Sequence, residues 1–304
     1  MKMSEWIDPG LHRNFIAQQT DALRLCTSPD GWVERFGVDV LISHKTGAAL
    51  ERLKTELCLW ALNLDFKFRR VFARFLPKQN ADREAPRLIL GDPDTNVQST
   101  ALERTLCYGI DFSAGYSVGL FIDQRENRRF VRDVAPASLL NCFAYTCSFS
   151  VAAATVGAKT VSVDLSKKSL ARGRENFALN SLSTTDHRFL ADDVMAVLPR
   201  LARRGEKFDA IILDPPTFSR SHRGKAFQVE RDFETLLLAA LDVAERNAHI
   251  LLSTNCSTLG ERALEVMGRF CLKATRRAGN FHREPSLPDF PQGVGAATIW
   301  LTLR

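Results

Sequence analysis

The segment Asp214-Pro215-Pro216-Thr217-Phe218 gathers three kinds of chemistry into one short stretch. A carboxylate can accept hydrogen bonds from amino groups or take up a proton. Two prolines stiffen the backbone and remove two amide donors, leaving carbonyls to point into the site. An aromatic ring close by can lie against a flat base. Together these parts describe a receptor for a nucleobase; a strand followed by an ordinary proline turn is the plainer alternative. Position favours chemistry. Residues 208–213 form a continuous apolar run bounded by Gly205 and the prolines, which reads as a buried parallel strand. Ligands of open α/β sheets bind beyond the carboxyl ends of such strands.

Two further acids occupy matching positions. Asp164 ends the run Thr160-Val161-Ser162-Val163, and Asp193 follows the strand-like stretch 187–191. An acid at the end of a second strand, about 20 residues past the first turn, can hold both hydroxyls of a ribose. An acid at the end of the third can accept from an adenine amino group. The first turn, 141–148, contains no glycine. The G-x-G-x-x-G fingerprint that admits a pyrophosphate is therefore absent, which argues against NAD or FAD. A ribose without a pyrophosphate points to S-adenosylmethionine. Asp164 has an alternative use as the cap of a helix beginning at Ser166.

Such acids need a sheet to carry them. From about Leu120 strands and helices alternate. Strands are expected at 139–145, 160–165, 187–191, 208–213 and 249–254, and helices at 148–156, 166–182, 194–204 and 226–246. Two closing strands are expected at 274–281 and 296–303. This alternation implies an α/β fold, a parallel sheet with helices on both faces. The closing pair suits a Rossmann-like sheet with an antiparallel edge. Ahead of it the elements are short: a hairpin turning near Gly37, a helix over 50–64, and strands at 66–75 and 87–90. The organisation expected is a helical lead-in at 1–30, a small α+β module at 31–115 and a Rossmann-like domain at 116–304.

Composition sets outer bounds. The 304 residues suffice for one large domain and a smaller one. A hydrophobic content of 45% supports a sizeable core. The net charge of +6 is compatible with a polyanionic partner. Seven cysteines occur without a C-x-x-C pair. This indicates neither a zinc site nor a disulfide framework and fits a reducing cytosol. The chain opens without the apolar stretch of a signal peptide. It also lacks any apolar run near the ~18 residues that span a membrane. The expectation is a cytoplasmic protein with no metal and no membrane partner, monomeric or homodimeric.

These motifs together resemble those of bacterial class I methyltransferases that modify bases of large-subunit (23S) ribosomal RNA, at cytosine C5 or guanine N7. The matching stretches are 119–129, 141–150, 161–166, 192–194, 213–219 and 253–257, within residues 32–302. The specific ones are Asp123-Gln124-Arg125-Glu126-Asn127-Arg128-Arg129 and Asp214-Pro215-Pro216-Thr217-Phe218-Ser219. The resemblance implies that 116–304 is an S-adenosylmethionine-dependent methyltransferase domain behind a small module. It implies that Asp164 holds the ribose, Asp193 the adenine, and that Asp214 borders the transferred methyl. It also carries Asp123, Gln124 and Arg125 to the cofactor, with Tyr145 and Ser148 of the first turn. By spacing alone, 123–129 reads as a solvated helix start. Two departures stand out. Cys147 occupies a place where the family usually has glycine, and a side chain there would crowd the methionine moiety or force a different turn. The extra N-terminal RNA-binding domain of many relatives is not seen, so RNA capture is expected to fall to the small module and the catalytic face.

The target atom stays open. Cytosine C5 needs a thiolate added at C6 before it can attack a sulfonium methyl. Cys256, after the strand 249–254, is the candidate nucleophile, with Asp214 as a possible base; a small buried cysteine is the alternative. Guanine N7 already carries a lone pair, so orientation and proximity suffice. The stretches 214–221 and 226–232 and the Thr254-Asn255 pair favour guanine N7, which is the preferred reading; an exocyclic amine is a third target, since an acid-Pro-Pro-aromatic set can accept from an amino group. A flipped base would lie against Phe218. Arg220, Arg223 and Lys225 follow the turn as phosphate contacts. Residues 66–75 interleave aromatics with cations, so alternate residues would offer a basic face to RNA; an amphipathic strand with a solvated face is the alternative. The expected function is methyl transfer to a 23S ribosomal RNA base, in rRNA processing. The competitors are a methyltransferase of small molecules or proteins, and a non-catalytic RNA-binding assembly factor with a decayed cofactor site.

Overall fold

The computed structural model describes residues 4–64, 66–78, 82–93, 97–220, 226–291 and 294–304, and at Arg220 the backbone only. The chain divides into two compact units, Met1–Ile122 with Leu287–Gly293, and Asp123–Ser286 with Val294–Arg304. Among the described residues no helix is long and apolar enough to cross a membrane.

The first unit runs β1 (Glu5–Trp6), α1 (Pro9–Ala17), β2 (Ala22–Ser28), β3 (Gly31–Phe36), β4 (Asp39–His44), α2 (Gly47–Asn63), β5 (Arg70–Phe75), β6 (Arg87–Leu90), β7 (Gln98–Glu103) and β8 (Leu106–Asp111). Among the described residues its main sheet has the order β1-β2-β3-β4-β5-β6. Only the β4–β5 pair is parallel, and α2 makes that crossover. Thr46 caps α2 by accepting from the Ala49 N–H at 3.1 Å. Leu50, Leu53, Leu57 and Ala61 form its buried stripe. The β3–β4 hairpin turns at Gly37, φ 64°, a left-handed position that glycine adopts without steric cost.

Two expectations are corrected in this unit. The strand over 66–75 begins only at Arg70, so Lys67 and Arg69, the expected basic face, are exposed but precede it, and the strand's own cations are buried. Arg70 and Arg74 turn inward to Asp39 and Glu34, at 2.6 and 3.4 Å, because a buried guanidinium needs a carboxylate partner. Val71 and Ala73, on the opposite parity, pack into the core. Residues 22–28 pair with β3 as a sheet strand, so much of the supposed lead-in belongs to this sheet, and the unit continues to Ile122 rather than 115.

The second unit follows a short 3-10 turn (Ile122–Gln124) with α3 (Arg125–Val134), β9 (Ser138–Cys142), α4 (Ser148–Ala154), β10 (Lys159–Asp164), α5 (Lys167–Leu179), β11 (Arg188–Ala191) and α6 (Val194–Arg203). It continues through β12 (Phe208–Leu213), β13 (Phe218–Arg220), β14 (Ala226–Gln228), α7 (Val229–Leu241), β15 (Ala244–Thr254), α8 (Glu261–Ala274), β16 (Gly279–His282) and β17 (Ala297–Leu303). Among the described residues the sheet order is β11-β10-β9-β12-β15-β17-β16. The pairs from β11 to β15 are parallel. Strand order reverses beside β9, which opens a crevice at the carboxyl ends of the strands.

Alternate strand residues feed opposite cores. Ala210 and Ile212 pack with Val131 of α3 and with Phe149 and Ala153 of α4. Ile211 and Leu213 pack with α6, α7 and α8. The closing pair forms the antiparallel edge that the sequence suggested: β17 lies between β15 and the edge strand β16 and pairs antiparallel with both. The strand expected at 274–281 is corrected. Residues up to Ala274 belong to α8, whose Leu264, Gly268, Cys271 and Leu272 are buried at helical spacing.

Candidate active site

Strand register builds the site. Val163, Cys142, Leu213 and Leu252 lie on one row across the sheet. The next residue on each strand is Asp164, Phe143, Asp214 and Ser253, so these cluster along one carboxyl edge.

Backbone groups hold Asp164. Its Oδ2 accepts from the Tyr145 N–H and its Oδ1 from the Ser166 N–H, each at 2.8 Å. The helix cap it was weighed against is Ser166 itself, whose Oγ accepts from Ser169 N–H at 3.1 Å. Burial raises the Asp164 carboxyl above its ordinary value, and the two amides oppose that rise. Each carboxylate oxygen keeps a second acceptor site, the chemistry needed for a pair of ribose hydroxyls. Asp193 caps α6 by accepting from Met195 N–H at 2.9 Å. Asp192 N–H donates to the Asp164 backbone carbonyl at 3.1 Å, which ties the ends of β10 and β11 together.

The first turn supplies the rest of this edge. Phe143, Tyr145 and Cys147 all have positive φ, at 58°, 48° and 60°. Non-glycine residues rarely adopt that conformation, and it concentrates at ligand sites. The turn is pinned at several points. Ala144 N–H donates to Val163 O at 2.9 Å, and Asn176 Nδ2 of α5 donates to Thr146 O at 2.8 Å. Cys147 is fully buried, and its thiol lies where a Cβ on Gly173 of α5 would come within 2.4 Å of Sγ. The side chain expected to crowd the cofactor is thus lodged against a helical glycine. Burial pushes that thiol up to about 12.

Asp214 sits at the end of β12 and takes its donors from side chains. Ser253 Oγ–H donates to Oδ1 at 2.6 Å, and Gln124 Nε2 reaches Oδ2 at 3.4 Å. Burial pushes the carboxyl up to about 6; the Ser253 bond and the Arg128 charge oppose this, and the Asp123 charge adds to it. Asp123 accepts from Ala296 N–H at 3.1 Å. Ser148 Oγ accepts from Arg128 Nη1 at 3.4 Å. Gln124, Arg125, Asn127 and Arg128 are buried, which corrects the reading of 123–129 as a solvated helix start. These polar groups turn inward to serve the site rather than outward to water.

Phe218 opens β13 beyond the proline turn and is 43% exposed. Cys256 is buried within the apolar core beneath α7 and α8, and its Sγ lies 3.0 Å from Thr258 Oγ1. Thr258 in turn donates to Glu230 at the start of α7. The β13 backbone includes Arg220, whereas Arg223 and Lys225 lie outside the described residues. Sequence reasoning missed Ser253 as a partner of Asp214 and Gly173 as a partner of Cys147. A glycine inside a helix, opposite a cysteine where a glycine was expected, was the available clue to the second pair.

Comparison with known proteins gives a consistent picture. Residues 68–298 match a family described as S-adenosylmethionine-dependent methyltransferase. Ribosomal RNA large subunit methyltransferase I of Aeromonas salmonicida is 34% identical over 189 residues, 61% of this chain and 47% of that protein. Ribosomal RNA large subunit methyltransferase K/L of a Psychrobacter species is 41% identical over 151 residues, 48% of this chain and 18% of that protein. The chain spans about half the length of the first curated relatives it matches. The crystal structure of SMU.776 complexed with SAH superposes with a TM-score of 0.82 at 25% identity, covering 97% of this chain and 78% of that one.

Proposed function

This chain belongs to the S-adenosylmethionine-dependent methyltransferase family, and from that premise we propose that it methylates a base of large-subunit ribosomal RNA, at guanine N7. The substrate class follows the names of its relatives. The observation that carries the reading is Asp214, a carboxylate with two side-chain donors, followed four residues on by the exposed ring of Phe218.

S-adenosylmethionine supplies an electrophilic sulfonium methyl. Asp164, with acceptor capacity left on both oxygens, suits the ribose hydroxyls, and Asp193 suits the adenine amino group. Asp123, Gln124, Arg125, Tyr145 and Ser148 complete the surroundings proposed for the cofactor, although Gln124 reaches Asp214 directly. Phe218 stacks on the flipped base. Ionised Asp214 accepts from the amino edge of guanine and orients N7, whose lone pair needs no further activation. Arg220, Arg223 and Lys225 contribute phosphate contacts that position the strand without reading its sequence.

A second reading is cytosine C5 with Cys256 as nucleophile. It is favoured by the place of Cys256, just beyond the Ser253 that binds Asp214. Against it stands the burial of the thiol and its contact with Thr258.

Base modifications of 23S ribosomal RNA, mapped by mass spectrometry with and without the protein, test the proposal. Loss of one 7-methylguanosine, restored by the purified protein, supports it. Loss of a 5-methylcytidine that needs Cys256 transfers the assignment to the second reading. Methyl transfer that requires no RNA rejects both, and binding to the ribosomal subunit without any methyl transfer leaves an assembly factor.

A further inference from the structure

Asp214 is the last member of a buried chain of side chains that starts on β17. Trp300 Nε1–H donates to Asn127 Oδ1 at 2.9 Å, and Asn127 Nδ2 donates to Gln124 Oε1 at 2.7 Å. Gln124 Nε2 donates to Ser253 Oγ at 2.9 Å and reaches Asp214 at 3.4 Å. Ser253 completes the path by donating to Asp214 at 2.6 Å. Trp300 and Ser253 are 0% exposed, Gln124 2% and Asn127 4%. The path links residues 173 positions apart.

The direction of this path is fixed at its origin. An indole nitrogen only donates, so the oxygen of the Asn127 amide must face Trp300 and its nitrogen must face Gln124. That nitrogen fixes the Gln124 oxygen toward Asn127 and the Gln124 nitrogen toward Ser253 and Asp214. The Ser253 oxygen already accepts, so its proton points at Asp214. Reversal would leave the indole N–H buried without an acceptor, a costly state.

We propose that Trp300 and Asn127 are positioning residues which, through Gln124 and Ser253, hold the Asp214 carboxyl in place as a hydrogen-bond acceptor for the incoming base. The catalytic consequence rests on the function proposed above; the wiring itself does not. Two charges also face Asp214. Asp123, in the turn before α3, favours its protonated form, and Arg128 of α3 favours its ionised form.

Asn127→Leu cuts the path while leaving both charges in place. The Gln124 amide is then free to turn, and Asp214 loses an ordered donor. The Asp214 titration midpoint, read by carbon-13 NMR on aspartate-labelled protein, is expected to rise by about one pH unit, the worth of one hydrogen bond to a carboxylate. The acid limb of kcat/KM should rise by the same amount. Trp300→Phe keeps an aromatic body but deletes the donor, so it should shift both in the same direction by less. It is the second variant should Asn127→Leu fail to fold. A midpoint that stays at the wild-type value in either folded variant overturns the proposal. A midpoint that moves while methyl transfer is indifferent to it upholds the relay and removes Asp214 from the reaction.

Discussion

The acids at the two halves of the site are held by opposite means. Asp164 takes its donors from the main chain of Tyr145 and Ser166, and Asp193 caps α6 through Met195 N–H. Asp214 takes its donors from the side chains of Ser253 and Gln124. Backbone amides persist through substitution, so the ribose-type acceptor is fixed by the fold of the turn. Side-chain donors are chosen residue by residue, so the environment of Asp214 can be tuned without refolding the sheet. Burial raises both carboxyls, but Asp214 is the one carried up to about 6. On the proposed function, the half that would hold an unchanging nucleoside is built from main chain, and the half that would meet a variable base from exchangeable groups.

Asp214→Asn should produce the largest effect and the sharpest form of this contrast. Removing the charged acceptor is expected to lower kcat by about 10²–10³-fold, a loss typical of one preorganised electrostatic contact. Affinity for S-adenosylhomocysteine, measured by calorimetry, should hardly change. The wild-type rate should fall as pH drops below about 6, where the carboxyl takes its proton, and the variant should lack that limb. Stability should move the other way. The folded state binds this proton more tightly than the unfolded chain, so the group's contribution declines as pH rises from the ordinary 3.8 to about 6. Asp214→Asn should therefore be more stable than wild type at pH 8, by about 1–2 kcal/mol, with the gain gone near pH 4.

Asp164→Ala should show the converse. The two proposed hydroxyl contacts are lost and two part-buried amides are orphaned, so cofactor affinity should fall about 100-fold. The rate at saturating cofactor should suffer much less. A variant that binds S-adenosylhomocysteine normally but turns over slowly would erase the distinction between the halves. Phe218→Ala comes next in size. Loss of base stacking should raise the RNA KM by about tenfold, with cofactor affinity unaltered.

The sequence disclosed the backbone-held half better than the other. Each strand that carries an acid is an apolar run ended by polar or breaking residues, so Asp164, Asp193 and Asp214 could be placed at one edge before any coordinates. The side-chain half was hidden for a physical reason. Arg125-Glu126-Asn127-Arg128-Arg129 is among the most hydrophilic stretches of the chain, and amphipathic logic assigns such a helix to water. Its inward face satisfies buried partners that lie 129 and 173 residues further on, Ser253 from Gln124 and Trp300 from Asn127. Helix α8 has readable apolar spacing, but its last residue, Ala274, also opens the stretch that reads as a closing strand. The inward turn of Arg70 and Arg74 was unreadable without knowing that Asp39 stands on the neighbouring strand and Glu34 on the one beyond it.

The smallest effect concerns the main-chain half alone and asks how its turn accommodates Cys147. The residue has φ 60°, a conformation that suits glycine, and its thiol occupies the space a side chain at Gly173 would need. A Cβ at position 173 would approach Sγ to 2.4 Å and the Cys147 Cβ to 3.0 Å. Gly173→Ala therefore gains helix propensity, up to about 1 kcal/mol, but forces the turn or α5 to move, at about 1–3 kcal/mol. The net expectation is a lower melting temperature by a few degrees, with weaker binding of S-adenosylhomocysteine because Tyr145, two residues before Cys147, carries a donor to Asp164. Cys147→Ala should relieve this only in part, since its Cβ still sits at the tight distance. Cys147→Gly removes the obstruction and the strained φ together, so Gly173→Ala combined with Cys147→Gly should recover both stability and affinity. A double variant no better than Gly173→Ala alone would mean that the two positions do not share this space, and that the turn is set by its backbone bonds alone.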